Sequence, residues 1–193
     1  MAGRPSIFDE EKVLNKATEL FWTRGYEATS LEDLLEAMGL GKSSFYHAFG
    51  SKKELFEKVM DRFVNDAMHR LAGDLPTHPR PIERIREFFR EIADTGWSRH
   101  KKGCFMGNTI VELTNSERTL CTKAIRRLER MEELFRHYIG VAQQSGELKT
   151  KEDPVVLARY LQTMWNGLNI TRRIHPDPAA LRPLIELQLQ VLY

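Results

Sequence analysis

The chain has 193 residues, 41% of them apolar and 29% charged, which is enough apolar surface for one ordinary domain, or a small one joined to a larger one, and excludes a disordered tail or a fibre. The longest unbroken apolar run, Val155 to Ala158, is far shorter than the roughly 20 residues of a membrane-spanning helix, so no membrane partner is expected, and a charged N-terminal sequence without a signal-like apolar stretch points to the cytoplasm. The 29 Lys and Arg against 27 Asp and Glu leave a net charge of +2, so a polyanionic partner has to be read from where the charge sits.

Periodicity is helical almost throughout. Val13, Ala17, Leu20 and Phe21 form one stripe of a first helix over about 9–24, which Gly25 ends. Leu31, Leu34, Leu35 and Met38 mark a second, and Thr29-Ser30-Leu31-Glu32 reads as a capping box in which Thr29 and Glu32 satisfy each other's free backbone donors. Gly39-Leu40-Gly41 stops that helix. Lys42 to Phe49 then form a short third helix with Phe45, Ala48 and Phe49 inward, and Gly50-Ser51 breaks it. A long fourth helix starts at Ser51 or Lys52 and carries its apolar stripe to Leu71, ahead of Gly73 and the Pro76 to Pro81 stretch, which marks the domain boundary. The expected organisation is a helix-turn-helix domain over 1–53, a linking helix over 52–73 and a second domain over 76–193. Five further helices are predicted at about 81–98, 103–113, 116–145, 153–174 and 179–193, with Pro154 and Pro178 near helix starts. No alternating strand pattern occurs, so the fold class is all-α with about nine helices.

Three helices within 50 residues, the second and third joined by a tight glycine turn, have the dimensions of a helix-turn-helix, whose last helix enters the major groove. The outward face of that helix holds Lys42, Ser43, Ser44, Tyr46 and His47, groups able to reach phosphates and base edges. From Gly39 to Lys53 the chain carries Lys42, Lys52 and Lys53 and no acid, and Arg4 adds a basic arm. Backbone N–H groups near Thr29 and Lys52, at the starts of the second and fourth helices, offer further phosphate sites. The same spacing also fits a small helical subdomain with a solvated lysine face.

The run Phe21-Trp22-Thr23-Arg24-Gly25-Tyr26-Glu27-Ala28-Thr29-Ser30-Leu31, followed by Ala37-Met38-Gly39-Leu40-Gly41-Lys42-Ser43-Ser44-Phe45-Tyr46-His47-Ala48-Phe49-Gly50-Ser51-Lys52-Lys53-Glu54-Leu55, resembles the DNA-binding domain of the tetracycline-repressor-like (TetR) family of transcriptional regulators over about residues 9–60. The resemblance implies a homodimer that binds a palindromic operator, probes it through one short helix per subunit, and releases it when a small-molecule inducer enters the C-terminal domain. By position, Thr29, Tyr46 and Lys52 look like the family's phosphate contacts, and Lys42, Ser43, Ser44 and His47 like its groove-facing residues. Gly39 and Gly41 would serve the turn, where a side chain costs strain or blocks approach. Ala48 and Gly50 depart from the residues frequent at those places, which bears on base preference.

For dimerisation, the segment from Val155 to Leu168 and the one from Leu181 to Leu192 each carry a wider apolar face than one partner helix needs. That predicts a four-helix interface, two helices from each subunit, although both could instead lie within a monomer core. An inducer cavity would be apolar. Phe89, Phe105, Phe135, Tyr138, Met164 and Trp165, with Phe88, Trp97, Met106 and Met131, are candidates for its wall, and Asn108, Gln162 or Asn169 for orienting groups. Aromatic and Met residues at this spacing fit plain packing equally well.

Cys104 and Cys121 are too few for a disulfide scaffold. Cys104 opens a helix in the run His100-Lys101-Lys102-Gly103-Cys104, where the helix N-terminus and two nearby lysines favour the thiolate, and some members of the resembled family that sense electrophiles or oxidants carry a Gly-Cys at a similar place. Cys104 is therefore either a redox-sensing thiol or a small buried hydrophobe. His100 and Cys104 lack a second ligand pair, and no phosphate loop, nucleophile elbow or paired-carboxylate motif occurs. No metal, cofactor or enzymatic activity is expected. The different-class alternative is a helical small-molecule-binding protein or enzyme without DNA contact.

Overall fold

The computed structural model describes residues 8–94 and 96–193, without the side chains of 64–69, 99 and 100; Arg4 and the side chain of residue 100 thus lie outside the described residues. The chain forms α1 (Glu10–Arg24), α2 (Leu31–Met38), α3 (Lys42–Phe49), α4 (Lys52–Asp74), α5 (Pro81–Arg90), α6 (Trp97–His100), α7 (Phe105–Leu113), α8 (Arg118–Ser145), α9 (Pro154–Ile174) and α10 (Pro178–Leu189), closed by a 3-10 turn over Gln190–Leu192. No strand occurs among the described residues. Among the described residues ten α-helices form rather than nine, because the 81–98 segment divides. After Arg90 the backbone tightens, with Ile92 N–H donating to Phe89 C=O and Ala93 N–H to Arg90 C=O, and this winding turns both Ile92 and Ala93 into the core.

Helix starts follow ordinary capping chemistry. Asp9 accepts from the Glu11 and Lys12 N–H groups, Ser51 from Glu54 N–H, Asp153 from Val155 N–H and Asp177 from Ala179 N–H, and prolines open α5, α9 and α10. The capping box of α2 sits one residue later than its sequence reading. Ser30 Oγ accepts from Asp33 N–H at 3.0 Å and Asp33 Oδ2 accepts from Ser30 N–H at 2.9 Å, so Ser30 and Asp33, not Thr29 and Glu32, satisfy the free donors. The hydrogen bonds from Ser30, together with Arg24, hold the Asp33 carboxyl below its ordinary range.

Two apolar cores result. One gathers Leu71 and Leu75 from the end of α4 with the inner faces of α5, α8, α9 and α10. The other joins α1, α2, α3 and the start of α4 to Cys104, Phe105, Met106 and Leu113 of the α7 segment and to Leu120, Cys121 and Ala124 at the start of α8. Packing therefore does not divide at Pro76–Pro81. The α1 helix and the α1–α2 turn are tied to the α7 segment, and Trp165 of α9 packs against both cores.

Candidate nucleic-acid interface and ligand cavity

The surface of α3 is set by which of its side chains the core claims. Phe45 and Phe49 are buried, Ala48 is half-buried, and Lys42, Ser43, Ser44, Tyr46 and His47 are exposed. The outward group read from sequence is thus brought together on one face. Gly41 precedes it with φ −74° and open space where a Cβ would stand, so its backbone is unstrained and any need for glycine there must come from an approaching partner. Gly39 differs, since φ +69° ends α2 in the left-handed region.

Other residues are placed differently from expectation. Thr29 is fully buried and its hydroxyl donates to Gly25 C=O at 2.6 Å, so its side chain anchors the α1–α2 turn rather than standing on the exposed face with the α3 residues. Lys53 is taken by Glu117, at 2.9 Å, which reduces the free positive charge of the segment. Lys52 Nζ sits 4.4 Å from the Tyr26 ring centroid, a cation–π placement that steadies a half-buried lysine at the start of α4. Burial, and then the charge of Glu117, push the Tyr26 hydroxyl above its ordinary range.

The link from this surface to the rest of the molecule runs through a carboxylate that the sequence did not single out. Glu112 of α7 accepts from Tyr26 N–H at 3.1 Å and from Glu27 N–H at 2.8 Å, completing the turn between α1 and α2. Gly25, at φ +89°, lies so close that a Cβ there would stand 2.7 Å from the Glu112 carboxylate. Trp22 of α1 donates its indole N–H to Gly103 C=O at 3.2 Å, and Lys102 binds Glu19 at 2.5 Å. Lys123 with Glu57 and Arg127 with Asp61 tie α8 to α4. The only signal in the chain for these contacts is charge on segments far apart in sequence, which local patterning cannot pair.

The apolar ligand wall read from sequence does not form as such. Phe89, Phe135 and Met164 are buried in the larger core, Tyr138 packs against it, and Phe105 lies in the smaller one, while Trp97 is exposed. Burial in close-packed cores accounts for them without a ligand. The cavity that does form has a volume of about 230 Å³ and lies among α1, α4, α5, α7 and α9, with Phe88, Trp165, Asn169 and Cys104 in its lining beside Arg70, Arg84 and Arg172. A broader cleft, lined by Phe105, Asn108 and Arg173 among others, opens between α1, α7 and α9. Cys104 is 8% exposed, caps α7, and accepts the Gly107 N–H at 3.4 Å. Lys102, one of the two lysines expected to act on it, is turned instead to Glu19 and Trp22. Among the described residues no cluster of His, Cys, Asp and Glu could hold a metal ion.

The second unpartnered surface lies on α9. Leu157, Ala158, Leu161, Met164 and Leu168 face the core, whereas Val156, Tyr160, Thr163, Gly167, Ile170 and Ile174 are exposed and spaced alternately by four and three residues, which puts them on one stripe. Leu187 of α10 is 70% exposed.

Comparison with known proteins agrees with this architecture. A family model described as bacterial regulatory proteins, tetR family, matches residues 13–59, and one described as Tetracyclin repressor-like, C-terminal domain, matches residues 81–187. The HTH-type transcriptional repressor ComR of Escherichia coli (strain K12) is 31% identical over 96% of this chain and 88% of its own length, and the transcriptional regulator AcuR of Cereibacter sphaeroides is 30% identical over 91% and 84% respectively. Among solved structures, a cysteine mutant of the TetR family regulator CifR complexed with 26-bp double-strand operator DNA superposes with a TM-score of 0.86 at 26% identity, covering 99% of this chain and all of that one. The chain therefore belongs to the TetR family of bacterial regulatory proteins and is a DNA-binding transcriptional regulator rather than an enzyme.

Proposed function

We propose that the protein is a cytoplasmic repressor that binds a palindromic operator as a homodimer and leaves it when a small molecule occupies the 230 Å³ cavity. The observation that carries this reading is the α3 surface: a short helix anchored by two buried phenylalanines presents lysine, serine and histidine side chains outward from a rigid core. Lys42, Ser43, Ser44 and His47 face the bases, while Tyr46 and Lys52 take phosphates. The bare backbone at Gly41 lets the duplex approach closely.

One such helix touches too few base pairs for specificity, and a two-fold axis doubles the contact. The exposed α9 stripe, continued by Leu187, supports a four-helix interface formed with a second copy. Dimer geometry then controls DNA binding, because two recognition helices fit successive major grooves only when about 34–36 Å apart. The cavity is bounded by Phe63, Arg70 and Leu71 of α4 and by Gly103 and Cys104 ahead of α7. Those are the two segments tied to the head, α4 by continuity with α3 and α7 by Glu112. A ligand that fits the cavity in only one setting of these helices shifts the equilibrium between two head separations.

Salt dependence tests the DNA-binding part. With three to four phosphates neutralised per subunit, log K against log salt concentration should fall with a slope of about −5 to −7. A flat response would favour a helical ligand-binding protein without DNA contact.

A further inference from the structure

The turn between α1 and α2 does not close on itself. Gly25 N–H donates to Phe21 C=O and Thr29 N–H to Tyr26 C=O, but the N–H groups of Tyr26 and Glu27 go to the two oxygens of the Glu112 carboxylate, 86 and 85 residues along the chain. Glu112 stands at the far end of α7 from Gly103 and Cys104, which line the 230 Å³ cavity. At about 1.5 Å of rise per residue, α7 is a rod of roughly 10 Å between Phe105 and Glu112, so a displacement at the cavity reaches the turn.

What the turn holds is Tyr26. This residue is buried, and its ring meets Phe56 edge-on with centroids 4.9 Å apart and lies beside Phe21 at 6.3 Å. The same ring carries the Lys52 ammonium, 4.4 Å from its centroid. A ring and a carboxylate hold a lysine with different consequences. Lys53 and Lys58 are paired with Glu117 and Glu10, which offset their charge. An aromatic face attracts an ammonium through its quadrupole and carries no formal charge of its own, so the positive charge stays available to an incoming phosphate.

Resting on the reading of Lys52 as a phosphate contact, we infer that Glu112 and Tyr26 are positioning residues for DNA binding. The Glu112 carboxylate fixes the turn, the turn fixes the Tyr26 ring, and the ring sets where the Lys52 ammonium stands. Neither residue has to touch DNA. A phosphate contact at the start of α4 is thereby governed from α7, a helix of the other domain.

The test is a double-mutant cycle on the full-length protein, read by anisotropy of a labelled duplex that the wild-type protein selects from random-sequence DNA. Lys52→Ala should weaken binding about tenfold and make the slope of log K against log salt concentration shallower by about 1. Glu112→Gln keeps the size but leaves one acceptor oxygen in place of two, and should weaken binding about fivefold, at the low end of coupling between sites. It should make the salt slope shallower too, which a loss of stability alone does not do. The two changes together should weaken binding about tenfold, no more than Lys52→Ala by itself, whereas independent effects would multiply to about fiftyfold. Tyr26→Leu should behave in the cycle as Glu112→Gln does, while Tyr26→Phe, which keeps the ring, should change binding by less than about twofold. Thermal unfolding of each variant sets a temperature at which all are folded. Should Glu112→Gln not fold, Glu112→Asp, which keeps the charge on a shorter stem, takes its place. Lys52→Ala without effect refutes the phosphate reading and this assignment with it. A Lys52 effect to which Glu112→Gln simply adds, or a loss in Tyr26→Phe as large as in Tyr26→Leu, overturns the assignment alone.

Discussion

The outward faces of α3 and α9 are both left uncovered in a single protomer, and they differ in kind. On α3 the exposed groups are lysine, serine, tyrosine and histidine, whose donors water satisfies well. On α9 the exposed stripe holds Val156, Tyr160, Ile170 and Ile174, the last at 66% exposure, which water solvates poorly. An exposed polar face is at rest in solvent and waits for a partner of complementary charge, whereas an apolar stripe along a long helix is at rest only when another apolar surface covers it. Under the proposed homodimer the contrast becomes a division of labour, in which α9 would hold the two copies together and α3 would engage DNA reversibly.

Ile170→Asp combined with Ile174→Asp would break that division most severely. Each isoleucine contributes about 1.5–3 kcal/mol when fully covered, so sedimentation should show monomers. Operator affinity should then fall by about a thousandfold, towards non-specific binding. A dimer that survives both charges would refute the stripe as the interface.

Next in size is the connection between the two regions. Glu112→Ala removes the acceptor of two backbone N–H groups, one of them on buried Tyr26. Hydrogen bonds to a charged group contribute about 1.5–3 kcal/mol each, and with roughly 2–4 °C per kcal/mol for a chain of this size, Tm should fall by about 5 °C or more. An unchanged Tm would mean that the α1–α2 turn holds itself.

The smallest effects should sort the α3 face into its two roles. Lys52→Ala should weaken binding to every DNA sequence alike and make the salt slope shallower by about 1. Ser44→Ala or His47→Ala should instead change which bases are preferred, by about 1–3 kcal/mol at the affected position. Equal losses on all operators for both kinds of variant would refute the assignment of roles. Competition binding against single-base operator variants measures both.

Much of this was legible before any coordinates. The α3 face could be read because its register is local: Phe45 and Phe49 at i and i+4 define an inside, which leaves Lys42, Ser43, Ser44, Tyr46 and His47 outside. Thr29 misled for a local reason as well. Two adjacent hydroxyl residues, Thr29 and Ser30, are both able to cap α2, and the choice went to Ser30 because Thr29 was needed beneath the turn at Gly25 C=O. On α9 the sequence showed an excess of apolar residues without showing which were surplus, since only packing against α8 and α10 decides which stripe remains outside.

Helix count to within one, helix order, the glycine breaks and the polar outward face of α3 were determined by the sequence itself, because each depends on residues within about four positions of one another, where backbone hydrogen bonding and side-chain periodicity operate. The cavity and the contacts that tie α7 to the α1–α2 turn were decided only in three dimensions. Arg70 and Arg172 come from helices about a hundred residues apart in the chain, and Glu112 reaches a turn 85 residues before it. No local pattern brings such residues together; only the burial of the apolar faces of α4, α7 and α9 does, and the polar groups meet where that burial carries them.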